Sequence, residues 1–179
     1  MAASGAVGVV AVVLGAILLV QAPGNGPAPP GSVCPQAVST HRCAVILTAS
    51  GTVVFEVEET FAPRTSSHFI ALFESGYYSG LPWHRVEDWV IQTGQGTAVG
   101  NINLETHPSL KNVRGAVAVA RTDDPNSGSS QFYILRNDAS HLDGGYAVFG
   151  TVRQGMDVVD AIALNEVISG IQVVDHYPL

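Results

Sequence analysis

The sequence predicts a mainly β domain, a sandwich or a closed barrel, accompanied by two helices. Three observations carry this. Short runs rich in β-branched and aromatic residues recur from residue 43 onward, each bounded by Gly, Pro, Ser or Asn, as strands are. Only two stretches, 62–80 and 155–165, place apolar residues at helical spacing, and many strands with few helices fold as packed or closed β-layers. A chain of 179 residues, 46% hydrophobic, suits one globular domain with an ordinary core, and a monomer is expected.

The chain begins with a different material. Residues 1–33 contain no Asp, Glu, Lys, Arg or His, and 2–22, "AASGAVGVVAVVLGAILLVQA", are apolar apart from Ser4 and Gln21. At ~1.5 Å per helical residue this stretch approaches a ~30 Å hydrocarbon core, so residues 1–22 are expected to form a membrane anchor, with a cleaved signal peptide as the competitor. Against cleavage stand the missing side-chain cations at the start and Pro23 directly after Val20-Gln21-Ala22. Residues 23–33, "PGNGPAPPGSV", cannot bury enough surface to offset their ordering entropy and are read as a tether.

The folded domain is expected at 34–179, membrane-anchored or secreted and extracytoplasmic. Cys34 and Cys43, the only two cysteines, are close enough for a short-loop disulfide on an oxidising side; two free thiols are the alternative.

From Cys43, "CAVILTASGTVVFEVEE" reads as a hairpin, with Val53, Phe55 and Val57 alternating against Val54, Glu56 and Glu58. A helix follows: Pro63 starts it, Thr65 or Ser66 is the expected N-cap, Phe69, Ile70, Leu72 and Phe73 form its apolar face, and Gly76 stops it. Arg85 sits in a β-like run among Trp83, Val86, Trp89, Val90 and Ile91, with Gln92 beside a glycine turn. Residues 116–120 and 132–135 read as buried strands, 146–152 as another, and 171–174 as the last. Between the final two, Met156, Val159 and Ile162 mark a short helix.

Composition excludes several functions. Fifteen acids against eight Lys and Arg give a net charge of −7 without any basic block, so nucleic acid is not an expected partner. Gly94, Gly96 and Gly100 miss the dinucleotide-binding spacing by one residue and read as a turn. The six histidines are scattered without ligand spacing, so no metal is assigned, nor any cofactor. Ser130, His141 and Asp143 lack the nucleophile elbow that a triad would need.

Three long stretches, "WHRVEDWVIQTG", "RGAVAVARTDDPNSGSSQFYI" and "HLDGGYAVFGTVRQGMDVVDAI", resemble the cyclophilin family of peptidyl-prolyl cis-trans isomerases in matching order, across most of residues 44–175. The resemblance implies a closed eight-stranded antiparallel barrel capped by two α-helices, with the substrate groove on its outside. It implies that Arg85 and Gln92 are catalytic, that Gln131 is the second groove glutamine, and that Trp89, Val90, Tyr133 and Leu142 form an apolar proline pocket. The backbone of Thr122 would hold the substrate peptide. His141 and Tyr146 complete the expected substrate-binding set, His141 standing where cyclosporin-sensitive members have tryptophan and Tyr146 where histidine is frequent.

Other departures are Val90 for a common methionine, Tyr133 for phenylalanine, Arg121-Thr122 for Ala-Asn, and about one residue fewer between Arg85 and Gln92. The segment 93–113 is short, as in compact prokaryotic members.

These residue types suit the reaction. Amide resonance sets a barrier of ~18–20 kcal/mol to rotation about an X-Pro bond. In the twisted transition state the nitrogen lone pair leaves conjugation and accepts a hydrogen bond, so a fixed donor such as Arg85 binds that state better than either planar isomer. The expected partners are proline-containing unfolded or exported polypeptides. Two alternatives remain at this level: a proline-segment binding or chaperone module with little turnover, and a lipocalin-like barrel with a ligand inside.

Overall fold

The computed structural model describes residues 41–175. The expected anchor, the tether and Cys34 lie outside the described residues. In chain order the elements are β1 (Cys43–Thr48), β2 (Gly51–Val57), α1 (Pro63–Glu74), β3 (Arg85–Val86), β4 (Val90–Thr93), β5 (Ala116–Val119), β6 (Phe132–Leu135), β7 (Val148–Gln154), α2 (Met156–Ala161) and β8 (Ile168–Val174). The strands form one curled antiparallel sheet in the order β3-β4-β6-β5-β7-β2-β1-β8. β3 and β8 are its two ends. Near these ends the backbone of 80–83 bonds to that of 165–168: Gly80 N donates to Ile168 O (2.8 Å), Trp83 N to Glu166 O (2.8 Å) and Asn165 N to Trp83 O (2.9 Å).

Period-two alternation sorts the side chains into two layers. Val53, Phe55 and Val57 of β2, Ile91 of β4, Val117 and Val119 of β5, and Phe132 and Ile134 of β6 point to the inside of the curl. There they meet Phe69 and Phe73 of α1. The Phe69 ring stacks on Phe149 at 4.2 Å between centroids, and Phe55 meets Phe73 edge-on at 5.9 Å. Each such ring contributes about 1.5–3 kcal/mol by leaving water. The interior is thus filled by aromatic and branched side chains, which overturns the lipocalin-like alternative. The intervening residues Val90, Ala116, Ala118, Tyr133 and Leu135 face outward as a second cluster with Ala139 and Val148. That outer cluster floors the site.

Most strands lie where the sequence places them. The β1–β2 hairpin turns through Ala49-Ser50, with Thr48 opposite Gly51. β7 starts at Val148 rather than Tyr146, because the Tyr146 amide is held by the Leu142 carbonyl of a preceding 3-10 turn, Ser140–Leu142. β8 extends back to Ile168, its register against β1 shifting between Leu47 and Thr48.

The N-cap of α1 differs from the expectation. It is Ala62, with Pro63 at the first helical position, while Thr65 and Ser66 lie buried inside the first turn. The capping acceptor comes from elsewhere: Glu105 takes the Thr65 amide on Oε2 (2.7 Å) and the Arg64 amide on Oε1 (3.4 Å). A carboxylate at a helix N-terminus satisfies free amides and complements the helix dipole, so no local Ser or Thr cap is needed. Gly76, at φ +74°, ends the helix as expected.

Candidate functional site

Strand pairing builds the site. β3 and β4 form a tight hairpin in which Arg85 is the direct partner of Gln92, and Gln92 in turn is opposite Tyr133 on β6. Residues directly opposite on one face have Cβ atoms about 5 Å apart, so one catalytic candidate is placed against the next by register alone. Gln131, just before β6, extends the row.

The side chains form a chain of hydrogen bonds. Arg85 Nη1 donates to Gln92 Oε1 (3.3 Å), and Gln92 Nε2 donates to Gln131 Oε1 (2.8 Å). On its other side Arg85 Nε donates to Glu87 Oε1 (2.7 Å), while Trp89 Nε1 donates to the second oxygen of the same carboxylate (2.8 Å). The guanidinium also lies over the Trp89 ring, 5.4 Å from its centroid. Arg85 is therefore fixed from three directions. Its hydrogen bond, joined by that from Trp89, holds the Glu87 carboxyl below the ordinary glutamate range against a smaller desolvation.

These groups line a cleft of about 570 Å³ on the outside of the sheet. Its apolar floor is Val90, Tyr133 and Leu142, and Ala120, Arg121 and Thr122 also line it. The turn Gly94–Ala98, which the sequence marked only as a turn, lines it as well. Gly94 has φ +90°, and a Cβ there would lie 2.3 Å from the Ser130 carbonyl oxygen, so glycine is required for this turn to lie against Ser130-Gln131.

Tyr133 is 4% exposed and donates its hydroxyl to Asn112 Oδ1 (2.8 Å). Burial pushes its phenol well above the ordinary tyrosine range, with Tyr146 adding to the effect. The Tyr146 ring packs edge-on against Tyr133, 6.0 Å between centroids.

Of the expected residues, Arg85, Trp89, Val90, Gln92, Thr122, Gln131, Tyr133, Leu142 and Tyr146 line this one cleft. His141 does not line it; its exposed ring stands against Trp89 at the rim, 6.2 Å between centroids. Two contributors escaped the sequence reading. Glu87 clamps Arg85 and Trp89, and the signal was its spacing of two residues from each. His84 lines the cleft and bonds to Gln131; burial lowers its pKa, against that bond and with help from the Arg85 charge. The dismissed triad stays dismissed, since Ser130 Oγ donates to the Gly94 carbonyl (2.9 Å) and Asp143 accepts from Asn112.

The family model for cyclophilin type peptidyl-prolyl cis-trans isomerases matches residues 43–176. The chain belongs to the cyclophilin family. This cyclophilin is 40% identical over 131 residues to a peptidyl-prolyl cis-trans isomerase of Streptomyces antibioticus, covering 64% of this chain and 79% of that one. It is 36% identical over 143 residues to the corresponding enzyme of Acinetobacter baylyi, covering 70% and 76%. Among solved structures, a cyclophilin type isomerase of Cryptosporidium parvum superposes with a TM-score of 0.69 at 25% identity, covering 75% of this chain and 98% of that one. The same protein has been crystallised in the presence of the dipeptide Ala-Pro, with a TM-score of 0.64 at 26% identity, covering 75% and 96%. The chain is a peptidyl-prolyl cis-trans isomerase by this membership, and its substrate is the X-Pro peptide bond.

Proposed function

We propose that the cleft carries out the isomerisation with Arg85 as the donor to the prolyl nitrogen. One observation carries this reading: a guanidinium fixed by Glu87, Gln92 and Trp89 shares a cleft with the apolar floor of Val90, Tyr133 and Leu142. The proline ring sits on that floor, which grips it without hydrogen bonds that proline cannot make and lowers the local dielectric. Among the described residues nothing accepts from Arg85 Nη2, so donors remain for the substrate. As the bond twists, the nitrogen becomes pyramidal and accepts one of them. Because Arg85 is already held in place, little reorganisation is needed at that moment. Gln92 and Gln131 orient the peptide and Arg85, the Thr122 backbone receives the residue beside the proline, and Trp89, His141 and Tyr146 shape the rim. No bond breaks and no proton is transferred.

The test is exchange between the isomers of a proline-containing tetrapeptide. Arg85→Ala should lower kcat/KM by about 10²-fold, the effect of removing one preorganised donor, while peptide binding persists. A rate insensitive to the substitution overturns the mechanism. Binding without turnover in the wild type would instead establish the binding-module alternative.

The backbone bonds between 80–83 and 165–168 support reading the curled sheet as a closed barrel, which leaves the cleft on its outer wall. The apolar and Pro/Gly-rich composition of residues 1–33 supports a domain anchored or secreted on the extracytoplasmic side, acting on unfolded or exported chains, with Cys34 and Cys43 bridged. Thiol labelling before and after reduction, with protease accessibility in intact cells, tests this. A cytosolic domain with two reactive thiols overturns it.

A further inference from the structure

Of the eight Lys and Arg in the chain, all among the described residues, six are paired with carboxylates. Arg136 donates from Nε and Nη2 to the Val159 and Ile162 carbonyls at α2 and from Nη1 to the Glu87 carbonyl. Arg121 is different. Its Nε donates to the Gly145 carbonyl (2.8 Å) and its Nη1 to the Thr122 carbonyl (2.7 Å) and, at 3.5 Å, the Asp123 carbonyl, and its guanidinium carbon lies 4.4 Å from the centroid of the Tyr146 ring. Among the described residues it forms no ion pair with a carboxylate, and nothing accepts from Nη2. Asp123 and Asp124, two and three residues further on, form no ion pair with it, and Asp124 Oδ1 accepts the Asn126 amide (2.9 Å).

This cation lines the catalytic cleft. The Arg85 charge there is paired with Glu87, so of the cleft's two arginines Arg121 is the one without an ion pair. It is also held over an aromatic face by three carbonyls, so little side-chain entropy is lost when an anion arrives. Tyr146, which carries it, touches Tyr133 in the proline floor. One aromatic ring separates the cation from the pocket, a distance that one or two residues of extended peptide span at ~3.5 Å each.

We infer that Arg121 makes this cyclophilin selective for X-Pro segments in which Asp or Glu flanks the proline. The inference rests on the cleft being the isomerase site proposed above. It concerns choice among substrates and not the rotation itself.

The test uses N-acetylated, C-amidated peptides with a single Glu, Gln or Lys directly before or directly after one proline. Both kcat/KM, from isomer exchange, and Kd are measured. At ~20 mM salt the ratio of Glu to Gln should be about three- to fivefold at one of the two positions, with Lys below Gln, and should collapse by ~0.5 M. Arg121→Gln should bring the ratio to one, and Arg121→Lys should keep part of it. Ratios do not depend on how much of a variant is folded. Ratios of one at both positions in the wild type, or a preference unchanged in Arg121→Gln, overturn the inference. Absence of turnover on every peptide would count against the isomerase site, while the Kd ratios would still decide the role of Arg121.

Discussion

Replacing Tyr133 by phenylalanine isolates one hydroxyl inside the floor of the cleft. The Tyr133 hydroxyl is the partner of Asn112 Oδ1 at 2.8 Å, and the two residues are 4% and 1% exposed. Asn112 uses its amide nitrogens on Asp143, so without the tyrosine its oxygen is buried with no donor. Leaving a buried acceptor unsatisfied costs about 1–2 kcal/mol, so Tyr133→Phe should lower the melting temperature by roughly 5 °C, although phenylalanine packs equally well there. The effect carries a pH signature. Burial keeps the Tyr133 phenol protonated above the range in which an exposed tyrosine ionises. As pH rises past ~10 the unfolded chain loses a proton that the folded chain keeps, so stability falls with pH, by about 1.4 kcal/mol at one unit above that value. The wild-type advantage over Tyr133→Phe should therefore nearly vanish by about pH 11; Tyr78, also buried with a raised pKa, is common to both proteins and cancels. Urea unfolding at pH 8 and pH 11, with Asn112→Ala and the double variant completing a cycle, provides the measurement. A Phe variant as stable as the wild type at pH 8, without coupling to Asn112, refutes the reasoning.

Two further outcomes follow from the geometry. Gly94→Ala puts a Cβ 2.3 Å from the Ser130 carbonyl oxygen at a φ of +90°. It should cost about 2–3 kcal/mol in denaturant unfolding and reduce kcat/KM by at least about tenfold, because relief of the clash displaces Gln131 from Gln92. Glu105→Ala removes the acceptor for the first amides of α1 and should destabilise by about 1–2 kcal/mol. Burial opposes ionisation of Glu105, yet the hydrogen bonds from Thr65 and Arg64 hold its carboxyl below the ordinary range. Its contribution is thus present above ~4.3 and lost as pH falls through the lowered value, so thermal melts of wild type and variant should converge as the pH is taken below the ordinary glutamate range.

The strands were legible because their side chains face two different layers. Val53, Phe55 and Val57 against Val54, Glu56 and Glu58 declare an inner and an outer face before any coordinate is known. The short hairpin of β3 and β4 was harder to read, since Arg85-Val86 is only two residues long and both Trp83 and Trp89 look like core. Trp83 is buried inside, whereas Trp89 stands at the cleft, a distinction that periodicity over so short a run does not make. The α1 cap was misplaced because its acceptor, Glu105, lies about forty residues away from the helix start. Local rules see Thr65 and Ser66 and nothing of that carboxylate.

By itself the sequence determined the alternation, the turns and the residue types that an X-Pro site needs: a permanent cation, two amides and an apolar patch. Tertiary structure decided which of them meet. Register set Arg85 against Gln92 and Gln92 against Tyr133, the glycine turn at 94 brought Gln131 into the row, and Glu87 tied Arg85 to Trp89. It also left His141 at the rim and Arg121 without an ion pair. Pairing between strands distant in sequence fixes such distances, and composition carries no record of which strand will lie beside which.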